Sequence, residues 1–307
     1  MAVKSLFNRV ALTSAIALGA TLSVGSVVQS QEKIVKIDGS STVYPITEVI
    51  AEGFQKAGNA KVTVGVSGTG GGFKKFCAGE TDISNASRKI KDKEIEACKA
   101  SGTEYVEIPV AIDALTVVVN PNSAISNITT EELKKMWAPE AEGKITRWNQ
   151  VNASFPNAPL KLFGPGPDSG TFDYFTEEIV GKARASRKDY VPSEDDNVLV
   201  QGVSRDKNAL GYFGYAYYVA NKGRLKALNI NGVAPTPENV DATKYPMART
   251  IYIYVSKKAA TKPEVKSFVQ YYLTNAKAAV QKVNYVPLKD AQYADALKMF
   301  ESAVASK

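Results

Sequence analysis

One order recurs three times in this chain and constrains its fold more than any other feature: a strand-like stretch, a loop of glycines and hydroxyls, then a helix. Ile34-Val35-Lys36-Ile37 alternates as a strand and enters Asp38-Gly39-Ser40-Ser41-Thr42-Val43-Tyr44-Pro45. Residues 46–54 then have helical spacing, with Pro45 suited to the first turn. Residues 61–66 form a second strand, followed by Ser67-Gly68-Thr69-Gly70-Gly71-Gly72 and by Phe73, Phe76 and Cys77 at helical spacing. The third copy has Leu160-Lys161-Leu162-Phe163, then Asp168-Ser169-Gly170-Thr171, then a helix over 172–180. Strands that each feed a helix imply α/β architecture with mostly parallel strands.

The loops share a physical use. Helix starts carry unpaired N–H groups, glycine lets backbone approach a ligand, and Ser and Thr add hydroxyl donors. Several such loops meeting at one place make an anion site that needs no metal. Taken singly, each loop reads first as a helix cap and a turn; three of the same design turn the balance toward an oxyanion ligand. Arg88 ends the small polar run Ser84-Asn85-Ala86-Ser87-Arg88, where its guanidinium fork suits a tetrahedral oxyanion, though an exposed surface arginine fits that segment too.

Composition removes most catalytic alternatives. The 307 residues include no histidine, which excludes His-assisted nucleophiles and imidazole zinc sites. Cys77 and Cys98 are too few for a Cys-only zinc site, and in an exported protein two cysteines more often form a disulfide than act as redox thiols, though their separation in sequence does not show that they meet. No phosphate-binding Gly-x-x-x-x-Gly-Lys loop, dinucleotide fingerprint or Gly-x-Ser-x-Gly elbow occurs. Ser204 and Lys207 form an isolated Ser-x-x-Lys without companion motifs, and Glu194-Asp195-Asp196 reads as a solvated loop.

Residues 1–30 carry Lys4 and Arg9, no acid, an apolar stretch from about Val10 to Val28, and the small-residue site Val28-Gln29-Ser30, the pattern of an export signal. Thr, Ser and Gly interrupt that stretch too often for a spanning anchor. Its removal leaves 36 basic against 31 acidic residues, a scattered excess of +5 that does not form a nucleic-acid stripe.

The rest of the chain supports a second lobe. Residues 114–119 read as a buried strand, Thr129-Thr130-Glu131-Glu132 opens a helix carrying Leu133, Met136 and Trp137, and Gly211-Tyr212-Phe213-Gly214-Tyr215 reads as packing. Residues 251–255 read as another strand, followed by a helix from near Pro263. No low-complexity linker separates these parts, so two crossings between lobes are expected.

Together with Lys144-Ile145-Thr146-Arg147-Trp148-Asn149 and Tyr245-Pro246-Met247-Ala248-Arg249, these motifs resemble, in order, the periplasmic phosphate-binding proteins of ABC-type phosphate uptake systems. The resemblance implies a two-lobed type II periplasmic-binding fold with two hinge crossings and an interlobe cleft. Lobe I would be 31–113 plus 249–307, and lobe II 114–248. It implies a soluble, monomeric periplasmic protein that binds inorganic phosphate and delivers it to an ABC-type permease, with no enzymatic activity, cofactor or nucleic acid. Sulfate or molybdate is the alternative ligand; a secreted phosphate-ester hydrolase or an adhesion protein is the alternative class. By motif, the ligands are Thr42, the Val43 N–H, Ser67, Ser87, Ser169, Gly170 and Thr171. Familiar relatives carry an aspartate where Ser87 aligns, accepting the proton of phosphate, and an arginine where Pro165 stands. Arg88 is expected to supply the missing cation. Asp168 is the candidate acceptor, against a role as cap of the helix near Phe172. Cys77 and Cys98 are expected to be bridged within lobe I.

Overall fold

The computed structural model describes residues 33–241 and 243–305; the export signal expected over 1–30 lies outside them. Strand β1 (Ile34–Gly39) buries Val35 and Ile37, and helix α1 (Tyr44–Lys56) comes next, with Pro45 in its first turn. The helix turns Ile46, Ile50, Ala51 and Phe54 inward. Strand β2 (Lys61–Val64), α2 (Gly68–Cys77), β3 (Ile83–Ala86), α3 (Asp92–Ala100) and β4 (Tyr105–Ala114) continue this lobe. Strand β1 pairs in parallel with both β2 and β3, as its loop-to-helix exits require.

After β4 the chain enters the second lobe at β5 (Thr116–Val119) and passes through β6 (Asn127–Ile128) into α4 (Thr130–Trp137). The Thr129 hydroxyl accepts the Glu132 N–H and the Glu132 carboxylate accepts the Thr129 N–H, the reciprocal cap that the sequence announces. Next come α5 (Trp148–Val151), β7 (Lys161–Pro165), α6 (Gly170–Phe175), β8 (Val191–Ser193), α7 (Asp196–Arg205), β9 (Ala209–Phe213), α8 (Tyr215–Ala220), β10 (Lys226–Ala227), β11 (Asn229–Ile230) and α9 (Pro237–Asp241). The second sheet has the order β10-β5-β9-β7-β8. Trp137 lies edge-on to Phe175 and Tyr212, and Phe175 stacks on Tyr212 at 3.8 Å between ring centroids, so the aromatic segment of β9 is core.

Strand β12 (Ala248–Ser256) carries the chain back, followed by α10 (Pro263–Lys282), β13 (Val286–Pro287) and α11 (Asp290–Ala305). Phe268 of α10 meets Phe54 of α1 edge to face. The first sheet then reads β13-β4-β12-β3-β1-β2. Here the expectation of mostly parallel strands needs correction. β12 runs antiparallel to both β4 and β3, because β4 leaves this lobe and β12 returns to it. The two crossings are bonded side by side: the Leu115 N–H donates to the Met247 carbonyl at 2.9 Å, and the Tyr245 hydroxyl to the Leu115 carbonyl at 2.8 Å.

Cys77, ending α2, and Cys98 of α3 are joined as a disulfide across a separation of 21 residues. Both are buried beside Phe73, Phe76 and Tyr254. Closing a loop of this length stabilises a fold by about 3 kcal/mol on the chain-entropy account. We therefore expect the Cys77→Ala/Cys98→Ala protein to lose about that much stability in urea unfolding, and thiol labelling of the unreduced, denatured wild type to find no reactive thiol.

Candidate functional site

The β1–α1 loop turns because Gly39 adopts a φ of 135°, where an added Cβ would run into the Asn85 carbonyl of β3. Two tyrosine hydroxyls clamp the next turn of chain: Tyr217 donates to the Ser41 carbonyl at 2.9 Å and Tyr285 to the Thr42 carbonyl at 3.0 Å. Thr42 is thereby presented to the second lobe, where its hydroxyl lies 3.0 Å from that of Thr171. Both threonines are buried.

A guanidinium joins them. Arg249, at the start of β12, donates from Nη2 to the Thr171 hydroxyl at 2.7 Å and to the Thr42 hydroxyl at 3.4 Å, and from Nη1 to the Gly170 carbonyl at 3.3 Å. Nε and Nη2 also hold Asp113 Oδ2 at 3.2 and 3.1 Å. Asp113 stands directly opposite Arg249 in the β4–β12 register and has no solvent exposure. Burial pushes its carboxyl upward, against the pull of Arg249 and of the Tyr215 N–H.

A second hydroxyl pair lies alongside. The Ser87 N–H donates to Thr69 Oγ1, and the two hydroxyls are 3.1 Å apart. Gly170 packs against them so closely that a Cβ would sit 2.5 Å from Thr69 Oγ1 and 2.6 Å from Ser87 Oγ. Ser169 caps α6 through the Thr171 and Phe172 N–H groups. Ser67, which opens α2, turns its hydroxyl to Asp38 Oδ1 at 2.5 Å. Val43 is the residue from which α1 starts.

The structure thus brings Thr42, Ser87, Gly170 and Thr171 together, and gives Arg88 and Asp168, like Ser67, protein partners of their own. Arg88, expected at the anion, forks onto Glu94 with two bonds of 2.8 Å and reaches Asp173 of α6 at 2.7 Å. Asp168, expected as proton acceptor or cap, is not the cap of α6. Its carboxylate holds Lys74 at 2.9 and 3.0 Å, its carbonyl accepts the Gly70 N–H at 2.7 Å, and the cap is its neighbour Ser169. Motif reading does not single out Arg249, Asp113 and Thr69 as site residues. The available signal is an acid near the end of β4 and a base near the start of β12, legible only once those strands are paired.

Of the acidic run 194–196, expected to be solvated, Asp195 is exposed but Glu194 and Asp196 are not. Asp196 is buried, its Oδ2 has no hydrogen-bond partner, and its carboxyl is pushed up to about 7, first by burial. The Ser41 hydroxyl and Arg249 oppose that rise, while Asp113 adds to it. Glu194, half-buried, accepts the Asp168 N–H and rises to about 6, chiefly through burial.

Residues 26–276 match the PBP_like_2 family, described as a PBP superfamily domain. Protein SphX of Synechococcus elongatus is 54% identical over 89% of this chain and 83% of its own length. Phosphate-binding protein PstS of Staphylococcus saprophyticus is 36% identical over 94% of this chain and 92% of its own. A putative phosphate ABC transporter substrate-binding protein from Clostridium perfringens, solved with bound phosphate, superposes with a TM-score of 0.73 at 26% identity, covering 84% of this chain and 100% of that one. The chain belongs to the PBP superfamily, alongside SphX and PstS. Its two lobes, joined by two crossing segments, form the type II periplasmic-binding fold.

The buried charges generate two expected outcomes. Arg249→Met strands the Asp113 carboxylate and should cost about 3–5 kcal/mol in urea unfolding, whereas Asp113→Asn/Arg249→Met should cost less than Arg249→Met alone. Asp196 holds its proton up to about pH 7 in the fold, while an unfolded aspartate loses it near pH 4. The folded state therefore binds more protons through that window, and stability falls as pH rises from about 4 to 7. Asp196→Asn should flatten that slope and raise stability at pH 7 relative to wild type, as read from urea midpoints across the window.

Proposed function

We propose that this protein captures inorganic phosphate between its lobes outside the cytoplasmic membrane and delivers it to an ABC-type permease. On this reading it acts as a soluble monomer, with no catalysis and no cofactor. Lobe I is taken as 31–113 plus 249–307 and lobe II as 114–248. The observation that carries the reading is the meeting of buried hydroxyls from both lobes, Thr42 and Thr171, around one guanidinium, with the Ser87 hydroxyl against Gly170 alongside. PstS of Staphylococcus saprophyticus is named a phosphate-binding protein, and the Clostridium perfringens relative holds phosphate.

The ligand set proposed is Thr42, the Val43 N–H, Ser67, Ser87, Gly170 and Thr171, with Arg249 as the cation. Ser169 shapes the α6 start. Arg88 and Asp168 are assigned to holding the lobes together, since Arg88 bridges Glu94 and Asp173 and Asp168 bridges Lys74 and Gly70. Closure of the lobes buries the anion, and the closed form is the one that docks on the permease. Hydroxyl and N–H donors supply enough: each hydrogen bond to a charged group contributes about 1.5–3 kcal/mol.

Calorimetric titration of the purified, phosphate-freed protein tests this. One phosphate should bind per chain, and Thr171→Val should weaken it roughly tenfold to a hundredfold, the loss of one such bond. Absence of heat with phosphate, or unchanged affinity in Thr171→Val, would overturn the reading.

A further inference from the structure

Phosphate near neutral pH carries a proton and sulfate does not, so a selective site needs an acceptor turned toward the ligand. Ser87 is a neutral hydroxyl paired with Thr69, and the Asp168 carboxylate is committed to Lys74.

The geometry points to Ser67, made into an acceptor by Asp38. Ser67 opens the ten-residue helix α2, yet its hydroxyl makes no capping bond to that helix. This contrasts with Ser169, whose hydroxyl caps α6. The Ser67 hydroxyl goes instead to Asp38 Oδ1 at 2.5 Å, and the Ser67 N–H reaches the same oxygen at 3.1 Å. Asp38 is buried, and its other oxygen takes Lys75 Nζ at 2.5 Å. Gly65 leaves room for this carboxylate, since a Cβ there would collide with Asp38 Oδ2.

A serine hydroxyl has one proton and two lone pairs. Once the proton is drawn to an ionised carboxylate, Ser67 presents only lone pairs to a ligand. A protonated phosphate oxygen can donate to it; every oxygen of sulfate is itself only an acceptor and is repelled. Lys75 occupies the other Asp38 oxygen, which leaves Oδ1 to the Ser67 hydroxyl and N–H. Asp38 is thus a positioning residue that acts through Ser67, a role resting on the phosphate reading above and setting its selectivity.

The experiment is titration of wild type, Asp38→Asn and Ser67→Ala with phosphate, arsenate and sulfate at pH 7.5. Arsenate shares the protonated state of phosphate and serves as the control for general damage. In Asp38→Asn the phosphate-to-sulfate preference should narrow by about tenfold or more, the scale of one discriminating hydrogen bond, while the phosphate-to-arsenate ratio stays put. Ser67→Ala should do the same, and it decides the matter if Asp38→Asn does not fold. Equal weakening of all three anions in the folded variants, or an unchanged sulfate preference, would overturn the assignment. A wild type that binds no phosphate would overturn the phosphate reading itself, and this proposal with it, before any variant is made.

Discussion

Arg249 paired with Asp113 is the interaction on which the interlobe arrangement depends. A guanidinium buried between two lobes is tolerable only with a carboxylate and full hydrogen bonding around it. Asp113 takes Nε and Nη2, and the remaining donors reach Thr42 in one lobe and Thr171 and Gly170 in the other. The pair lies on β4 and β12, the strands that carry the chain out of the first lobe and back into it. Residues there sit close to the pivot of any opening motion, so the pair can stay intact while the contacts it organises form and break.

Much of the fold was legible because it rests on local patterns. Alternation marked β1, Pro45 marked the start of α1, and Thr129 with Glu132 marked α4. The three hydroxyl-glycine loops were legible for the same reason: their chemistry is contiguous in sequence. What escaped depends on pairing across long separations. Arg249 finds Asp113 136 residues away, and Arg88 finds Asp173 85 residues away. No local pattern reports that an arginine already has a carboxylate. Burial of Asp196 escaped similarly, because the covering surface includes the Ser41 loop of the other lobe.

The glycines of the loops matter for approach distance rather than flexibility alone. Gly170 lets a lobe II backbone come within touch of the Thr69 and Ser87 hydroxyls, and Gly70 brings its N–H to the Asp168 carbonyl. A side chain at 170 would press on both hydroxyls and hold the lobes apart, and one at 70 would crowd the Asp168 carbonyl. Hydroxyls borne on such loops are placed by backbone geometry and need little side-chain ordering, since serine and threonine have few rotatable bonds to fix.

The charges around these loops share one arrangement that bears on how an anion is held. Arg249 is matched by Asp113, Arg88 by Glu94 and Asp173, Lys74 by Asp168, and Lys75 by Asp38. Each cation named is already neutralised by a carboxylate of the protein. An oxyanion entering here would gain little from net charge, and would be held chiefly by hydroxyl and N–H dipoles fixed in place before it arrives. Dipoles discriminate by direction, whereas a bare cation attracts any anion. On the phosphate reading, such a site would distinguish tetrahedral anions by where their protons lie, and the direction of each hydroxyl would matter more than the net charge around it.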